Sequence, residues 1–323
     1  MKSFGLGSYA LSGGVALALL AGCGGLQSPI GAPGAMPQTS TLAPHVDRGK
    51  LWMLPEAKGE DLVYVTGGCD GTCVVSYPAG KIVGSLNVGY GLNSGVCADG
   101  QGRVYIADDT EVIEYAHGGT TPIGTFNLPG SGGTAAGCSV DPTTGNLAVM
   151  FGGVAIFTPG SQTPMVYPGP VDGFSCAYDR SGNLFVGGLR SGGAALAELP
   201  KGSSSFTLLT INAKYIEGAG QVEWYGKYLS YMSAFGGAPY IYRFKIAGTV
   251  ANLVGTTRLS NPKFLWYPWI YQGKILAPWH ERGPDANSLG VWDYPRGGKV
   301  IRKITGFGRA GLESITVSVG SSR

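Results

Sequence analysis

The stretch GCSVDPTTGNLAVMF, Gly137 to Phe151, has a near copy on each side, VCADGQGRVYIAD (96–108) before it and SCAYDRSGNLFVGG (175–188) after it. Each copy is a short apolar strand, a polar turn containing glycine, and a second apolar strand. Asp141 and Asp179 open two of these turns, where a carboxylate can accept turn N–H groups. The following glycine supplies the positive φ that closes a hairpin. Two more copies, VEWYGKYLSYM and WIYQGKILAPW, use a shorter turn. The turn glycines Gly102, Gly145, Gly182, Gly226 and Gly273 are spaced by 43, 37, 44 and 47 residues. A period of this size is the mark of a repeat architecture.

A second phrase follows each copy of the first: strand, Pro/Gly/Lys turn, strand. It is clearest in CVVSYPAGKIVGSL (73–86) and GVWDYPRGGKVIRKI (290–304), and it occurs six times against five complete copies of the first. The missing half lies at the two ends. EDLVYVTGG (Glu60 to Gly68) is a second strand with no first strand before it, and LESITVSVG (Leu312 to Gly320) is a first strand with nothing after it. Joining them completes a sixth unit and closes a ring without an open sheet edge. The expected fold is all-β over residues 59–320: a six-bladed β-propeller of four-stranded antiparallel blades, closed by pairing N-terminal and C-terminal strands. A seventh unit using HVDRGKLWML is the alternative, but that segment supplies no turn phrase.

CSVDPTTGNLAV and CAYDRSGNLFV resemble the G-I-A-V-D-x-x-G-N-L-Y-V phrase of the NHL-repeat and SMP-30-like (TolB-like) group of six-bladed propellers. The last two copies depart from it, with neither Asp nor Asn at the turn. SMP-30-like lactonases hold a divalent ion with Glu, Asn and Asp at the ends of inner strands. The resemblance therefore implies a Ca²⁺ or Mg²⁺ site at the channel mouth, for which Asn93, Asp172, Glu217 and Asn261 are the oxygen ligands of suitable type. Asp108, Asp109 and Glu111 form a second acidic group. It reads as a solvated turn.

The N-terminus, MKSFGLGSYALSGGVALALLAGC, has a basic start and a short leucine and small-residue run, too short and glycine-rich to span a membrane. Its ending Leu20-Ala21-Gly22-Cys23 resembles the lipobox of bacterial lipoproteins. The expected organisation is a signal peptide over residues 1–22, then Cys23 as the lipidated residue with a Gly/Pro/Ser-rich tether over 23–58. Gly24 after the cysteine favours the outer membrane in a cell that has one, and otherwise the outer face of the cytoplasmic membrane.

The chain of 323 residues carries 56 glycines, 17 tyrosines and only 13% charged residues, which fits many short strands and tight turns. A net charge of +3 leaves no electrostatic footprint for nucleic acid. In an exported chain, Cys69 and Cys73 flanking an Asp-Gly turn form a disulfide. Cys97, Cys138 and Cys176 read as one slot in three consecutive blades, either buried small hydrophobes or a three-thiolate metal site. GFSCA lacks the last glycine of a nucleophile elbow, and no helix follows GFGRAG to receive a pyrophosphate.

Among the aromatics of FLWYPWIYQGKILAPWHERG, strict alternation sends half into packing between blades, and a binding rim of Trp269, Trp279 and His280 is the remaining reading. With a strong scaffold and no convergent catalytic set, the sequence points to a monomeric, lipid-anchored, non-catalytic binding protein with no cofactor, for an envelope protein or glycan. The alternative is a metal-dependent, lactonase-like hydrolase, which rests on fold resemblance.

Overall fold

The computed structural model describes residues 51–320 apart from 91–93, 131–134, 215, 217–219, 234–238, 261–264, 266, 281–286 and 309–310. Cys23 and the expected signal peptide and tether up to residue 50 lie outside the described residues. The strands belong to the compact unit Val46–Arg323.

The first sheet holds β1 (Trp52–Met53), β2 (Asp61–Gly68), β3 (Gly71–Tyr77) and β4 (Ile82–Leu86). The second holds β5 (Val96–Ala98), β6 (Val104–Asp108), β7 (Glu111–Tyr115) and β8 (Pro122–Asn127). The third holds β9 (Cys138–Val140), β10 (Leu147–Met150), β11 (Gly153–Phe157) and β12 (Met165–Pro168). The fourth begins with the antiparallel meander β13 (Asp172–Tyr178), β14 (Leu184–Arg190), β15 (Gly193–Leu199) and β16 (Thr207–Asn212). It continues in a second meander, β17 (Gly220–Tyr225), β18 (Tyr228–Ser233), β19 (Tyr240–Ala247) and β20 (Val250–Arg258). The fifth holds β21 (Trp269–Tyr271), β22 (Lys274–His280), β23 (Asn287–Asp293) and β24 (Arg302–Ile304). β25 (Ile315–Ser318) returns to the first sheet and pairs antiparallel with β2, from Leu62↔Ser318 to Val65↔Ile315. No α-helix occurs among the described residues.

The turns follow their chemistry. Asp99 Oδ1 accepts the N–H groups of Gln101 and Arg103 at 2.9 and 2.8 Å, and Asp179 Oδ1 accepts those of Ser181 and Asn183 at 2.8 and 2.9 Å. Asp141 Oδ1 takes the N–H of Thr143 at 2.8 Å. Gly102, Gly145 and Gly182 then adopt φ of 83, 77 and 88°, a conformation that favours glycine.

Two expectations need correction. The described residues form five hydrogen-bonded sheets and not six separate ones, because β16 and β20 pair in parallel, Thr210↔Val250 to Asn212↔Asn252, and merge two meanders. Trp52 and Met53, expected in the tether, form β1, which lies outside β4 and covers its edge.

The strands nearest the axis contact one another in a closed cycle, β25 to β5, β9, β13, β17, β21 and back to β25. Hydrophobic clusters fill the gaps between successive four-stranded meanders. Leu62, Tyr64 and Val74 meet Val96 and Ile106 in one of them, and Phe185 and Leu196 meet Val222 and Tyr231 in another. Burial of this apolar area, at about 25 cal/mol per Å², is the dominant cohesive term.

Side chains also stitch one inner strand to the next. Ser139 Oγ accepts the N–H of Tyr178 at 3.0 Å, and Ser175 Oγ accepts that of Val222 at 2.7 Å. Glu223 Oε2 accepts that of Ile270 at 2.9 Å. An inner strand is the edge of its sheet, so its N–H groups need partners from outside that sheet.

Cys69 and Cys73 form the expected disulfide, with Cα atoms 5.2 Å apart. A second bridge, Cys97–Cys138, joins the inner strands β5 and β9 with Cα atoms 5.6 Å apart, and Cys176 is the free cysteine of the described residues. The expectation of one shared slot fails for Cys97. It stands two residues before its turn aspartate Asp99, whereas Cys138 and Cys176 stand three before Asp141 and Asp179. A one-residue offset in a strand reverses the face. Cys97 therefore faces forward to the third sheet and meets Cys138 facing back.

Candidate functional site

A cavity of about 1120 Å³ lies on the axis, lined by residues of β5, β9, β13 and β17 together with Trp269 of β21 and Ser314 beside β25. It reaches the end of the ring that carries the aspartate turns, where Gln101, Thr143 and Arg180 line it.

The residues that end the inner strands make this mouth asymmetric. On β5 and β9 they are the small Ala98 and Val140, whereas Tyr178 ends β13 and Trp224 and Tyr225 end β17. The half-buried aromatics Tyr178, Trp224, Tyr225 and Trp269 thus form one wall, opposite small residues and turn backbone. Trp224 stacks on Phe185 with ring centroids 5.2 Å apart, and Tyr225 packs edge-on against Tyr294 at 5.5 Å. The Tyr225 hydroxyl accepts the Gly273 N–H at 3.0 Å, so both rings are held in place. Burial raises the Tyr178 phenol, with Cys176, Asp141 and Tyr167 adding to the shift, and keeps it protonated.

Most charged groups at this mouth are already bonded. The Asp99 and Asp179 carboxylates hold their own turns, and Arg103 Nε donates to Asp99 Oδ2 at 2.6 Å while its Nη1 reaches Glu114 at 3.2 Å. Burial disfavours charge on Asp141, yet the bonds from Thr144 and Thr143 and the nearby Lys201 outweigh it, so its pKa lies below the ordinary 3.8. Arg180 is exposed, and among the described residues it makes no hydrogen bond or ion pair.

Glu223 is a residue that sequence reasoning missed. It is 5% exposed, and burial holds its pKa well above the ordinary 4.5, opposed in part by the Ile270 N–H. The neighbouring Gln221 Oε1 is buried without a hydrogen-bond partner. Nothing in VEWYGK distinguishes this glutamate from a solvated one, since its partner lies on another sheet.

The raised pKa has a testable sign. An unfolded chain loses this proton near the ordinary value and the folded chain at higher pH. Between the two, the folded chain binds more protons, and stability falls as pH rises. Glu223→Gln keeps an acceptor for Ile270 and removes the titration. Calorimetry is expected to give equal melting temperatures near about pH 4 and a more stable variant near about pH 8. The gain is expected to be on the order of a few degrees. An unchanged pH slope in the variant contradicts the assignment.

The other expected site residues fall as follows. Asp172 is the exposed first residue of β13, while Asn93, Glu217 and Asn261 lie outside the described residues. Among the described residues no group of three or more His, Cys, Asp and Glu side chains is placed to hold a metal ion. Asp108 has its pKa raised by burial, opposed by bonds from the Gly89 and Tyr90 N–H groups and reinforced by Asp109.

Trp269 lines the cavity, but Trp279 does not stand on a rim. It is 2% exposed, packs against Trp292 at 5.7 Å and has the Lys303 ammonium 3.6 Å above its ring. Ile275 and Ala277, on the same face of β22, are buried with it, and Leu276 on the other face is buried as well. The side chain of His280 lies outside the described residues.

In three dimensions the chain is similar to solved structures of low sequence identity. One is from a nidogen/laminin complex, with a TM-score of 0.63, 11% identity, and coverage of 80% of this chain and 98% of that one. Another is a protein of unknown function from Bacteroides caccae, with a TM-score of 0.60, 13% identity, and coverage of 80% and 99%. The likeness and the ring of antiparallel sheets define the class: the chain is a β-propeller. No family profile and no curated protein matches the sequence.

Proposed function

We propose that this protein is a six-bladed propeller of the NHL-repeat and SMP-30-like kind, exported and lipid-anchored at Cys23, that acts as a non-catalytic binding scaffold at the cell envelope. The six-blade reading counts the merged sheet as two blades, in keeping with the repeated phrase and the cycle of inner strands. Two disulfides support export, because cytosolic thiols are kept reduced.

The observation that carries the binding role is the axial cavity, whose described carboxylates hold backbone N–H groups or ion pairs and leave no set aimed at a reacting atom. A protein or glycan partner at the envelope is the expected occupant.

Metal analysis of the purified chain, with calorimetry in calcium and in chelator, tests this against the lactonase-like alternative. The scaffold reading expects no stoichiometric ion and no change in melting temperature. A tightly bound ion lost on chelation and in Asp172→Ala overturns it in favour of a metal-dependent hydrolase.

A further inference from the structure

We infer that the mouth of the axial cavity binds a neutral oligosaccharide, with sugar rings laid on the wall of Tyr178, Trp224 and Trp269. This rests on the scaffold reading and gives it a ligand class. Sugar rings present C–H faces that pack on aromatic rings, and hydroxyls that donate and accept around their edges. The cavity supplies both kinds of contact. Its aromatic wall is half-exposed, with Trp224 fixed by Phe185 and the adjoining Tyr225 by Tyr294, and its polar lining includes the amides of Gln101 and Gln221.

Charge argues against an ionic ligand. The carboxylates of Asp99, Asp141 and Asp179 are engaged by their own turns, and Arg103 is paired with Asp99 and Glu114. Burial keeps Glu223 toward its uncharged form. Among the described lining residues Arg180 alone is left to attract an anion, and a single exposed charge contributes little. The volume of about 1120 Å³ exceeds the roughly 300–1,000 Å³ of sites for drug-sized molecules, which leaves room for more than one ring.

Calorimetric titration and tryptophan fluorescence with cellohexaose, maltohexaose, laminarihexaose and hexa-N-acetylchitohexaose, and with hexagalacturonic acid as the anionic counterpart, test the assignment. Saturable binding of at least one neutral hexasaccharide is expected, weakened about tenfold in Trp224→Ala and in Trp269→Ala. Arg180→Gln is expected to change it by no more than about twofold.

Trp224→Ala removes the stack on Phe185 and can cost stability, so Gly100→Trp gives a second arm. Gly100 lines the mouth, has no positive φ and has open space where a Cβ would stand. The added indole is expected to block binding while leaving the melting temperature unchanged.

No binding by any neutral hexasaccharide at millimolar concentration overturns the inference, and so does binding of hexagalacturonic acid alone that Arg180→Gln abolishes. Neutral binding that Gly100→Trp leaves intact overturns the location. Chain shortening of a bound sugar upholds the sugar site and overturns the non-catalytic reading, which keeps the two failures distinct.

Discussion

Deleting residues 312–323 is expected to abolish cooperative folding, leaving no sharp melting transition and most of the chain in aggregates. The deletion removes β25, whose pairing with β2 closes the ring. Leu312 and Ile315 are 0% exposed and Val317 is 6% exposed, so these side chains alone contribute on the order of 5–9 kcal/mol of burial. That is comparable to the whole stability of a typical domain, about 5–15 kcal/mol. The deletion also takes Ser314, whose N–H donates to Thr66 Oγ1 at 3.0 Å, and leaves β2 paired on one side only, with β3. A buried strand turned into an open sheet edge, with one row of pairing groups unmet, is a site of aggregation. Circular dichroism and calorimetry decide the matter. A deleted chain that melts cooperatively near the intact temperature shows that the ring does not depend on this closure.

Breaking the Cys97–Cys138 bridge is expected to have the next largest effect. Its cysteines are 41 residues apart, so the cross-link restricts a long loop of the unfolded chain, worth about 4 kcal/mol by loop entropy. The double variant Cys97→Ala, Cys138→Ala is expected to melt on the order of 10 °C lower. The Cys69–Cys73 bridge spans 4 residues, and its removal is expected to cost about half as much. Calorimetry of the two double variants side by side checks the order, and an equal loss contradicts the loop argument.

The same geometry supplies a companion arm one sheet further on. Cys138 Sγ points to the carbonyl of Tyr105, the register partner of Cys97, and Cys176 Sγ points to that of Ala148, the register partner of Ser139. Ser139→Cys is therefore expected to form a third bridge, detected by non-reducing peptide mapping that links the substituted position to Cys176.

The parts of this fold that local chemistry governs were legible in the sequence. The Asp-to-Gly turns, the repeat spacing and the closing pair Glu60–Gly68 with Leu312–Gly320 follow from turn preferences and strand alternation, and β2 with β25 realises that closure. Contacts between sheets were harder to read. Matching cysteines by letter concealed the one-residue offset that turns Cys97 toward Cys138, although the distance to the turn aspartate held the clue. The parallel pairing of β16 with β20 depends on how two meanders splay, which no single segment encodes.

For the candidate site, Trp269 lines the cavity whereas Trp279 is interior, because β22 is buried on both faces by the sheets packed around it. The change from Ala98 and Val140 to Tyr178 and Tyr225 before successive turns was visible, and it is the feature that shapes the mouth. Glu223 was not recoverable, since its burial comes from the neighbouring β21.

The outer strands differ in how each ends its sheet. β1 overlays β4, β16 and β20 cover one another, Pro122 opens β8, Pro168 closes β12, and the three-residue β24 carries Arg302 and Lys303. Prolines, charges, short strands and mutual cover are each a barrier to intermolecular strand addition. Among the described residues the outer strands therefore offer no long, bare template on which a second copy can extend a sheet. Crowding of many copies raises their encounter rate without extending these edges into a shared sheet.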